Sequence, residues 1–273
     1  MTPARALADR ADMEDSASPA QQAALPRLLE GHAAQAADIR GSLALDATLG
    51  FLAYLYGSMP FVYLLGRQRR VDLRARGSGN VGATNLWSAT GNRRALAGWL
   101  GDASKGFLPP LLLRLARRAR PMREMGGVSG AAGQCWPLFL GLSGGRGISA
   151  FVGAAFWMDA RAWAASLVPM IAGALWHAVP LLGRRTERVK RDLRRTRGKA
   201  VPLGCFVGVA LFPVVHTLLA PPDRKRAPAP WLLTGVVLLR RLTARLPDDA
   251  TRGPVVRPQA LIYRLLFDRN TSA

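Results

Sequence analysis

Glycines, arginines and short polar side chains are concentrated in residues 67–85, a composition that suits the binding of a phosphate group. The stretch ends in GSGNVGATN, residues 77–85. Glycine lets backbone N–H groups approach an anion closely, and the hydroxyl and amide side chains add donors. The stretch also carries five arginines: Arg67, Arg69, Arg70, Arg74 and Arg76. We therefore expect an anion site here. The alternative is a basic loop that is retained only for membrane topology.

The hexamer GSGNVG, residues 77–82, also has the spacing of a dinucleotide-binding fingerprint, with Asp102 twenty residues further on. That fingerprint functions only after a buried strand and within a βαβ unit. The preceding residues VDLRAR are largely charged, and ALAGWLGD, which leads to Asp102, is not a β-branched strand. The dinucleotide interpretation is therefore rejected.

Three further features could complete an anion site. A second Gly-rich stretch, GLSGGRG, occupies residues 141–147, and we expect it on the same membrane face as the first. Pro60 predicts a helix break that leaves Ser58 and nearby carbonyls free for polar contacts. Asp102 and Lys105 lie three residues apart, on one face of a helix. They either line a polar cavity or neutralise each other without further chemistry.

The composition of the whole chain restricts its class. Of its 273 residues 49% are hydrophobic, and 38 Lys+Arg against 17 Asp+Glu give a net charge of +21. Cys135 and Cys205 are too few for a disulfide framework or a Cys-based zinc site, and the three histidines lie far apart, so we expect no metal. The excess charge favours phosphate or anionic lipid as a partner. A nucleic-acid-binding protein is disfavoured because the arginines lie between hydrophobic runs.

Long uncharged runs indicate helices that cross a membrane. Residues 47–66, 126–145, 162–183 and 200–222 contain no Asp, Glu, Lys or Arg, and about 20 mostly apolar residues suffice to cross a bilayer. Three less regular spans are 95–113, 147–158 and 227–239. We predict an all-α fold, a polytopic integral membrane bundle of about seven transmembrane helices. The alternative is a soluble bundle with buried helices.

The distribution of Lys and Arg predicts the orientation and the domains. Segments 67–94 and 184–199 are strongly basic, which places them in the cytoplasm, and with seven spans the N-terminal tail falls outside. The basic loops near Arg117 and Arg224 oppose this assignment. We predict a polar, disordered tail at 1–44, a membrane domain at 45–246 with a basic cytoplasmic insert at 184–199, and a C-terminal tail at 247–273. The segment LIYRLLF in that tail favours an interfacial helix.

Several of these motifs resemble one enzyme family, the bacterial acyl-phosphate-dependent glycerol-3-phosphate acyltransferases of the PlsY type. Its first motif is similar to GSMPFVYLLGR at 57–67, Asp72, Arg74, residues 77–85, Gly91 and DASKG at 102–106. Its second motif is similar to GQCWPLFLGLSGGRG at 133–147. The resemblance covers roughly residues 45–220.

The resemblance implies a seven-helix membrane enzyme of phospholipid synthesis with its active-site loops at the cytoplasmic face of the cell membrane. Its reaction transfers a fatty acyl group from acyl phosphate to glycerol 3-phosphate and yields lysophosphatidic acid and phosphate, without a metal or cofactor. Ser58, Arg74 and Asn80 would be catalytic. Substrate phosphate would be bound by Ser78, Gly79, Thr84, Asn85, Lys105, Gly144, Gly145 and Arg146. Acyl phosphate has a good leaving group, so positioning and charge neutralisation would supply most of the rate.

The sequence departs from the family pattern in its second and third motifs. Gln134 stands in place of a His, Arg146 of a Lys and Ala150 of a Thr. The third motif is not recognisable, and LLRRLTARLPDD at 238–249 stands there instead, with Arg240 or Arg241 as substitutes for residues that hold glycerol 3-phosphate. The alternative function is therefore a degenerate paralogue that binds acyl phosphate or phospholipid without turnover. The sequence leaves the acyl-chain length, the acceptor and the oligomeric state open.

Overall fold

The computed structural model describes residues 35, 40–76, 79–90, 92–178, 199–243 and 258–268. The chain divides into two compact units, Met1–Thr48 and Leu49–Ala273. In the first unit residues 40–48 are helical. The second unit contains the rest of that helix and all other described elements.

Helices are the regular secondary structure of the described residues, with no β-strand among them. A 3-10 turn at Leu138–Leu140 precedes the second Gly-rich loop. The α-helices in chain order are α1 (40–57), α2 (Phe61–Arg67), α3 (Ala83–Thr90), α4 (Asn92–Leu115), α5 (Arg120–Cys135), α6 (Ile148–Met158), α7 (Ala160–Ala178), α8 (Ala200–Leu219), α9 (Ala229–Thr243) and α10 (Pro258–Phe267).

Helix α5 lies in the middle of the bundle because its glycines let neighbouring helices approach closely. A Cβ atom at Gly130 would overlap the backbone carbonyl of Lys105 on α4, and one at Gly133 would overlap that of Tyr54 on α1. Such small-residue contacts are typical of helix packing in membranes. They also bring α4, with Lys105, against the end of α5 that carries Gln134.

Helix α4 contains two consecutive prolines, Pro109 and Pro110, in its interior. It nevertheless continues for 24 residues, from Asn92 to Leu115. Prolines of this kind are tolerated in membrane helices when neighbouring helices pack around them.

The apolar core lies among α5, α6, α7, α8 and α9. At its centre the rings of Phe151 and Phe212 meet edge to face with centroids 5.4 Å apart, a favoured aromatic geometry. Helices α7 and α8 pack closely because Gly173 and Gly204 face each other across them.

The outer surface of the bundle is also apolar. Large hydrophobic side chains are exposed on α7 and α8, among them Val168, Trp176, Val207, Val214 and Leu218. An exposed apolar surface of this extent suits contact with lipid and not with water. Two stretches are long and apolar enough to cross a membrane by length and composition: Arg40–Arg67, which comprises α1 and α2, and Ala200–Leu219, which is α8.

The predicted all-α fold is confirmed, and each of the seven predicted spans overlaps one of the helices α1 and α4–α9. The bounds of two spans were wrong. The run 47–66 is broken at residues 58–60, and the run 126–145 is helical only as far as Cys135, because a residue before proline, here Trp136, avoids helical geometry. Of the predicted tail at 1–44, residues 1–34 and 36–39 lie outside the described residues, and residues 40–44 belong to α1. Of the predicted insert at 184–199, residues 184–198 lie outside them. The LIYRLLF segment is the helix α10.

Candidate functional site

The first Gly-rich loop, which joins α2 to α3, is anchored by two buried side chains, Leu73 and Asn85. Leu73 packs with Val62 of α2 and Leu86 of α3 in a small apolar cluster. The amide nitrogen of Asn85 donates to the carbonyl oxygens of Leu73, Arg76 and Asn80 at 2.9–3.0 Å. The side-chain nitrogen of Asn85 therefore holds the loop in shape, and its predicted contact with phosphate stays a prediction.

Among the described residues of this loop, three other predicted site residues are at least partly accessible. Asn80 is half-buried and Thr84 is exposed. Gly79 has φ 66°, a left-handed conformation that glycine adopts without strain. Ser78 lies outside the described residues.

Arg74 is held in an exposed position by Asp72 and Tyr63. Its Nη2 lies 3.2 Å from Oδ2 of Asp72 and donates to the Tyr63 hydroxyl at 2.8 Å. Hydrogen bonds from Arg74 keep the pKa of the Asp72 carboxyl below its usual value, and the same contact raises the pKa of Arg74. The Arg74 side chain is 48% exposed, so it remains accessible to an anion from solvent.

The helix break expected at Pro60 is present, but it does not leave Ser58 free. Helix α1 ends at residue 57, and Pro60 is the N-cap of α2. The Ser58 hydroxyl is fully buried and donates to the carbonyl oxygen of Tyr54 at 2.9 Å. A serine at a helix end readily bonds back to the residue four positions earlier, and this corrects the expectation of a free hydroxyl.

The two Gly-rich loops meet over a cleft. A Cβ atom added to Gly145 would lie 3.1 Å from the carbonyl oxygen of Val81, so the loops are in direct contact. The cleft is narrow, with a cavity volume of about 10 Å³, and it is partly open to solvent. Its lining consists of Pro60, Val62, Val81, Asp102, Lys105, Gln134, Pro137, Leu140, Gly144 and Gly145.

A buried polar chain forms one wall of this cleft. Nζ of Lys105 lies 2.8 Å from Oδ1 of Asp102, and both side chains are at most 4% exposed. Asp102 also accepts a hydrogen bond from the side chain of Gln134. The other end of Gln134, Oε1, accepts the backbone N–H of Ala150 at 3.1 Å, in the first turn of α6. The ammonium group of Lys105 has three donors, and only one of them is used by Asp102.

Arg146, the charged residue of the second loop, is paired with a carboxylate from the C-terminal helix. Its Nε lies 2.7 Å from Asp268, the residue directly after α10, and the Arg146 side chain is 8% exposed. Helix α10 is further held by Lys199, whose Nζ lies 5.1 Å from the centre of the Tyr263 ring. The described part of the C-terminal tail is therefore docked beside the second loop.

Arg240 and Arg241, the arginines considered as substitutes for the third motif, bind backbone carbonyls. Arg240 donates from Nε to Gly145 at 3.1 Å and from Nη2 to Gly144 at 2.8 Å. Arg241 donates to Leu265 of α10 at 2.8 Å and to Pro202 of α8 at 2.9 Å. Both guanidinium groups are buried. Arg240 contacts the second Gly-rich loop, and Arg241 joins α9 to α10 and α8.

Comparisons with known proteins agree with this architecture. The profile of a family described as glycerol-3-phosphate acyltransferase matches residues 47–241. The chain belongs to this family. It is 31% identical to glycerol-3-phosphate acyltransferase 5 of Dehalococcoides mccartyi, over 81% of this chain and 88% of the relative. A shorter match, 40% identical, covers 40% of this chain and 56% of the glycerol-3-phosphate acyltransferase of Geobacter sulfurreducens.

A solved structure shows the same fold. It is a crystal structure of PlsY (YgiH), an integral membrane glycerol 3-phosphate acyltransferase, in its glycerol 3-phosphate form. The TM-score is 0.58 at 23% sequence identity, over 72% of this chain and 88% of that one. The acyltransferase family therefore accounts for the helical bundle, and its resemblance to this sequence is confirmed.

The departures of this chain from the family pattern now have a structural setting. Gln134 connects Asp102 to the start of α6, Arg146 pairs with Asp268, and Ala150 uses only its backbone N–H. Sequence reasoning missed three contributions: Tyr63 as a support for Arg74, Asp268 as the partner of Arg146, and Gln134 as a link between helices. Each of these roles depends on a contact with a residue 11 or more positions away in the sequence. The spacing of residues in the sequence does not show such contacts.

Proposed function

We propose that this chain is an integral membrane acyltransferase that transfers a fatty acyl group from acyl phosphate to glycerol 3-phosphate. The products are lysophosphatidic acid and inorganic phosphate, and the reaction is the first acylation of phospholipid synthesis. The observation that carries the proposal is the contact of both Gly-rich loops over the buried Lys105, in a chain that belongs to the glycerol-3-phosphate acyltransferase family.

The site residues supply binding and charge. Lys105, which has donors to spare, neutralises a phosphate in the cleft, and the backbone of Gly144 and Gly145 shapes it. Arg74 attracts phosphate from the solvent side. Asn80, Gly79, Ser78 and Thr84 provide donors from the first loop, and Asn85 keeps that loop in shape. Preorganised charge of this kind lowers the barrier without a covalent intermediate.

The reaction balances without a side chain as base. The 1-hydroxyl oxygen of glycerol 3-phosphate attacks the acyl carbon, and the bond from that carbon to the phosphate oxygen breaks. The leaving phosphate takes the electron pair, and a substrate phosphate takes the hydroxyl proton. The role of Ser58, whose hydroxyl proton is bonded to Tyr54, is to accept a hydrogen bond or to position the helix end beside the cleft.

The proposed location is the cell membrane, crossed several times, with the site loops in the cytoplasm and the N-terminal tail outside. The apolar outer surface of α7 and α8 supports contact with lipid. The basic residues at 67–76, on the face of the site, support attraction to anionic headgroups.

A second candidate function is a degenerate paralogue that binds acyl phosphate or phospholipid without turnover. The observation in its favour is that Arg240 and Arg241, the available replacements for the third motif, both donate to backbone carbonyls. The acceptor part of the site then lacks its expected ligands.

One assay separates the two functions. The protein is purified in mild detergent, incubated with acyl phosphate and glycerol 3-phosphate, and the lysophosphatidic acid is measured by mass spectrometry together with released phosphate. The enzyme yields both products in equal amounts. Acyl-phosphate binding without lysophosphatidic acid, or hydrolysis to free fatty acid at the same rate with and without the acceptor, would overturn the acyltransferase proposal.

A further inference from the structure

The backbone of the second Gly-rich loop is held from two sides, by Arg240 of α9 and by the backbone of Gln134 of α5. The guanidinium of Arg240 donates to the carbonyl oxygens of Gly144 and Gly145, at 2.8 and 3.1 Å. The amide of Gly145 donates to the backbone oxygen of Gln134 at 3.1 Å. The loop is thus held between α9 on one side and the end of α5 on the other.

These contacts determine which end of each peptide dipole faces away from α9. In a trans peptide the N–H and C=O point in opposite directions, and the chain has no cis peptide among its described residues. With both carbonyls turned to Arg240, the amides of Gly145 and Arg146 point away from it. A carbonyl oxygen directed at an anion in the cleft would repel it, and Arg240 holds two such oxygens away.

We propose that Arg240 is a positioning residue that acts on the substrate phosphate through the Gly144–Gly145 backbone. The inference rests on the proposed function of the cleft. It differs from direct substitution for the third motif, since the guanidinium holds the loop and does not touch substrate. Arginine suits this task because its planar fork reaches two adjacent carbonyls at once, which a lysine cannot do.

Arg241 is a matched control. It is the next residue on the same helix, is also buried, and also donates to two backbone carbonyls, those of Leu265 and Pro202. Neither of those carbonyls belongs to a residue that lines the cleft. A purely structural arginine should therefore behave like Arg241.

The test compares Arg240→Gln, Arg240→Lys and Arg241→Gln in detergent, with separate kcat and KM values for acyl phosphate and for glycerol 3-phosphate. Arg240→Gln should raise at least one KM about tenfold or more, because the two carbonyls lose their charged hydrogen-bond donor and are no longer held away from the anion. Arg240→Lys should fall between Arg240→Gln and the wild type. Arg241→Gln should lower Tm and leave both KM values unchanged.

A second measurement does not depend on turnover. Hydrogen–deuterium exchange at residues 141–147 should be faster in Arg240→Gln than in the wild type, and unchanged in Arg241→Gln. This result with an inactive wild type would retain the positioning role and reject the proposed function. Unchanged KM values and unchanged exchange in Arg240→Gln, or equal increases in both variants, would overturn the positioning role.

Discussion

Two buried side chains of opposite charge, Lys105 and Asp102, lie side by side at the cleft. The Asp102 carboxylate accepts only one of the three hydrogen bonds that the Lys105 ammonium group can donate. Lys105 and Asp102 are paired at 2.8 Å in an almost solvent-free environment. A buried ion pair costs desolvation energy and is weak evidence for a contribution to stability. Its presence at the wall of the cleft therefore suggests a use other than holding the bundle together.

The pair can be tested by removing one charge and then both. Lys105→Met alone should lower the unfolding free energy by about 3–5 kcal/mol, because it leaves the buried Asp102 carboxylate without its cation. Lys105→Met combined with Asp102→Leu should recover most of that loss, as judged by Tm in detergent. The double variant should still lack activity. Activity in a folded double variant would mean that the two charges only neutralise each other.

The pH dependence of the first loop follows from Asp72. Its pKa is lowered by hydrogen bonds from Arg74, so its contribution to stability is present above the usual value of about 3.9 and is lost as pH falls through the lowered pKa. The difference in unfolding free energy between the wild type and Asp72→Asn should stay constant from about pH 8 to 5 and decrease below about 4. We expect at most about 1 kcal/mol, since the pair is exposed. A difference that grows on acidification would contradict the assignment.

At the scale of the helices, the position of Lys105 depends on a glycine in the neighbouring helix. The backbone of α4 at Lys105 touches Gly130 of α5 so closely that a side chain has no space there. This contact places Lys105 beside Gln134 and brings both to the cleft.

Gly130→Ala should therefore push α4 away from α5. Overpacking of a filled interior costs about 1–3 kcal/mol, and we expect a lower Tm together with reduced turnover. Gly235→Ala is the control, because a Cβ atom at Gly235 on α9 would meet nothing within 4 Å. That variant should be as stable as the wild type or slightly more stable, since alanine has the higher helix propensity. Equal losses in both variants would contradict this account of the α4–α5 contact.

The helices could be predicted from the sequence more reliably than their ends. An uncharged run marks a segment that avoids water, but it does not distinguish a helix from a buried loop. The run 126–145 contains both, since α5 ends at Cys135 and the cleft loop follows. Arg240 contacts Gly145, 95 positions earlier, and Asp268 contacts Arg146, 122 positions earlier. Contacts between single residues so far apart leave no periodic pattern in a sequence.

At the scale of the whole molecule, the apolar surface of the bundle predicts that the protein stays in the membrane, and the location of its charges predicts which side of the membrane the site faces. The apolar side chains exposed on α7 and α8 need lipid around them. The site lies at one end of α6, near Ile148. The other end of α6, where Arg120 donates to the carbonyl oxygen of Met158, therefore lies towards the opposite face of the membrane.

The protein should remain in the membrane after washes with high salt and with alkaline carbonate. Arginines that bound a membrane surface only through charge would be released, because the Debye length is about 3 Å at 1 M salt. Immunoblots of the pellet and supernatant measure the outcome. Recovery in the salt supernatant would contradict a membrane-spanning bundle.

The predicted sidedness can be measured with single cysteines in a background in which Cys135 and Cys205 are replaced by alanine. Arg69→Cys, in the first loop, should react with an impermeant thiol reagent only after cells are lysed. Lys225→Cys, between α8 and α9 at the opposite end, should react in intact cells. Labelling of both positions in intact cells, or of Arg69→Cys alone, would contradict the proposed cytoplasmic site.

The two prolines within α4 have a mechanical consequence for the cleft. Pro109 and Pro110 have no N–H, so the carbonyls of Lys105 and Gly106 receive no hydrogen bond from the residues four positions ahead. Instead these two residues lie against α5 and α6, where Gly130 and Ala150 approach them. Helix α4 therefore stays helical but lacks two consecutive backbone hydrogen bonds immediately after the Asp102–Lys105 pair. With two fewer backbone hydrogen bonds to resist bending, α4 is easier to bend directly after this pair than an uninterrupted helix would be.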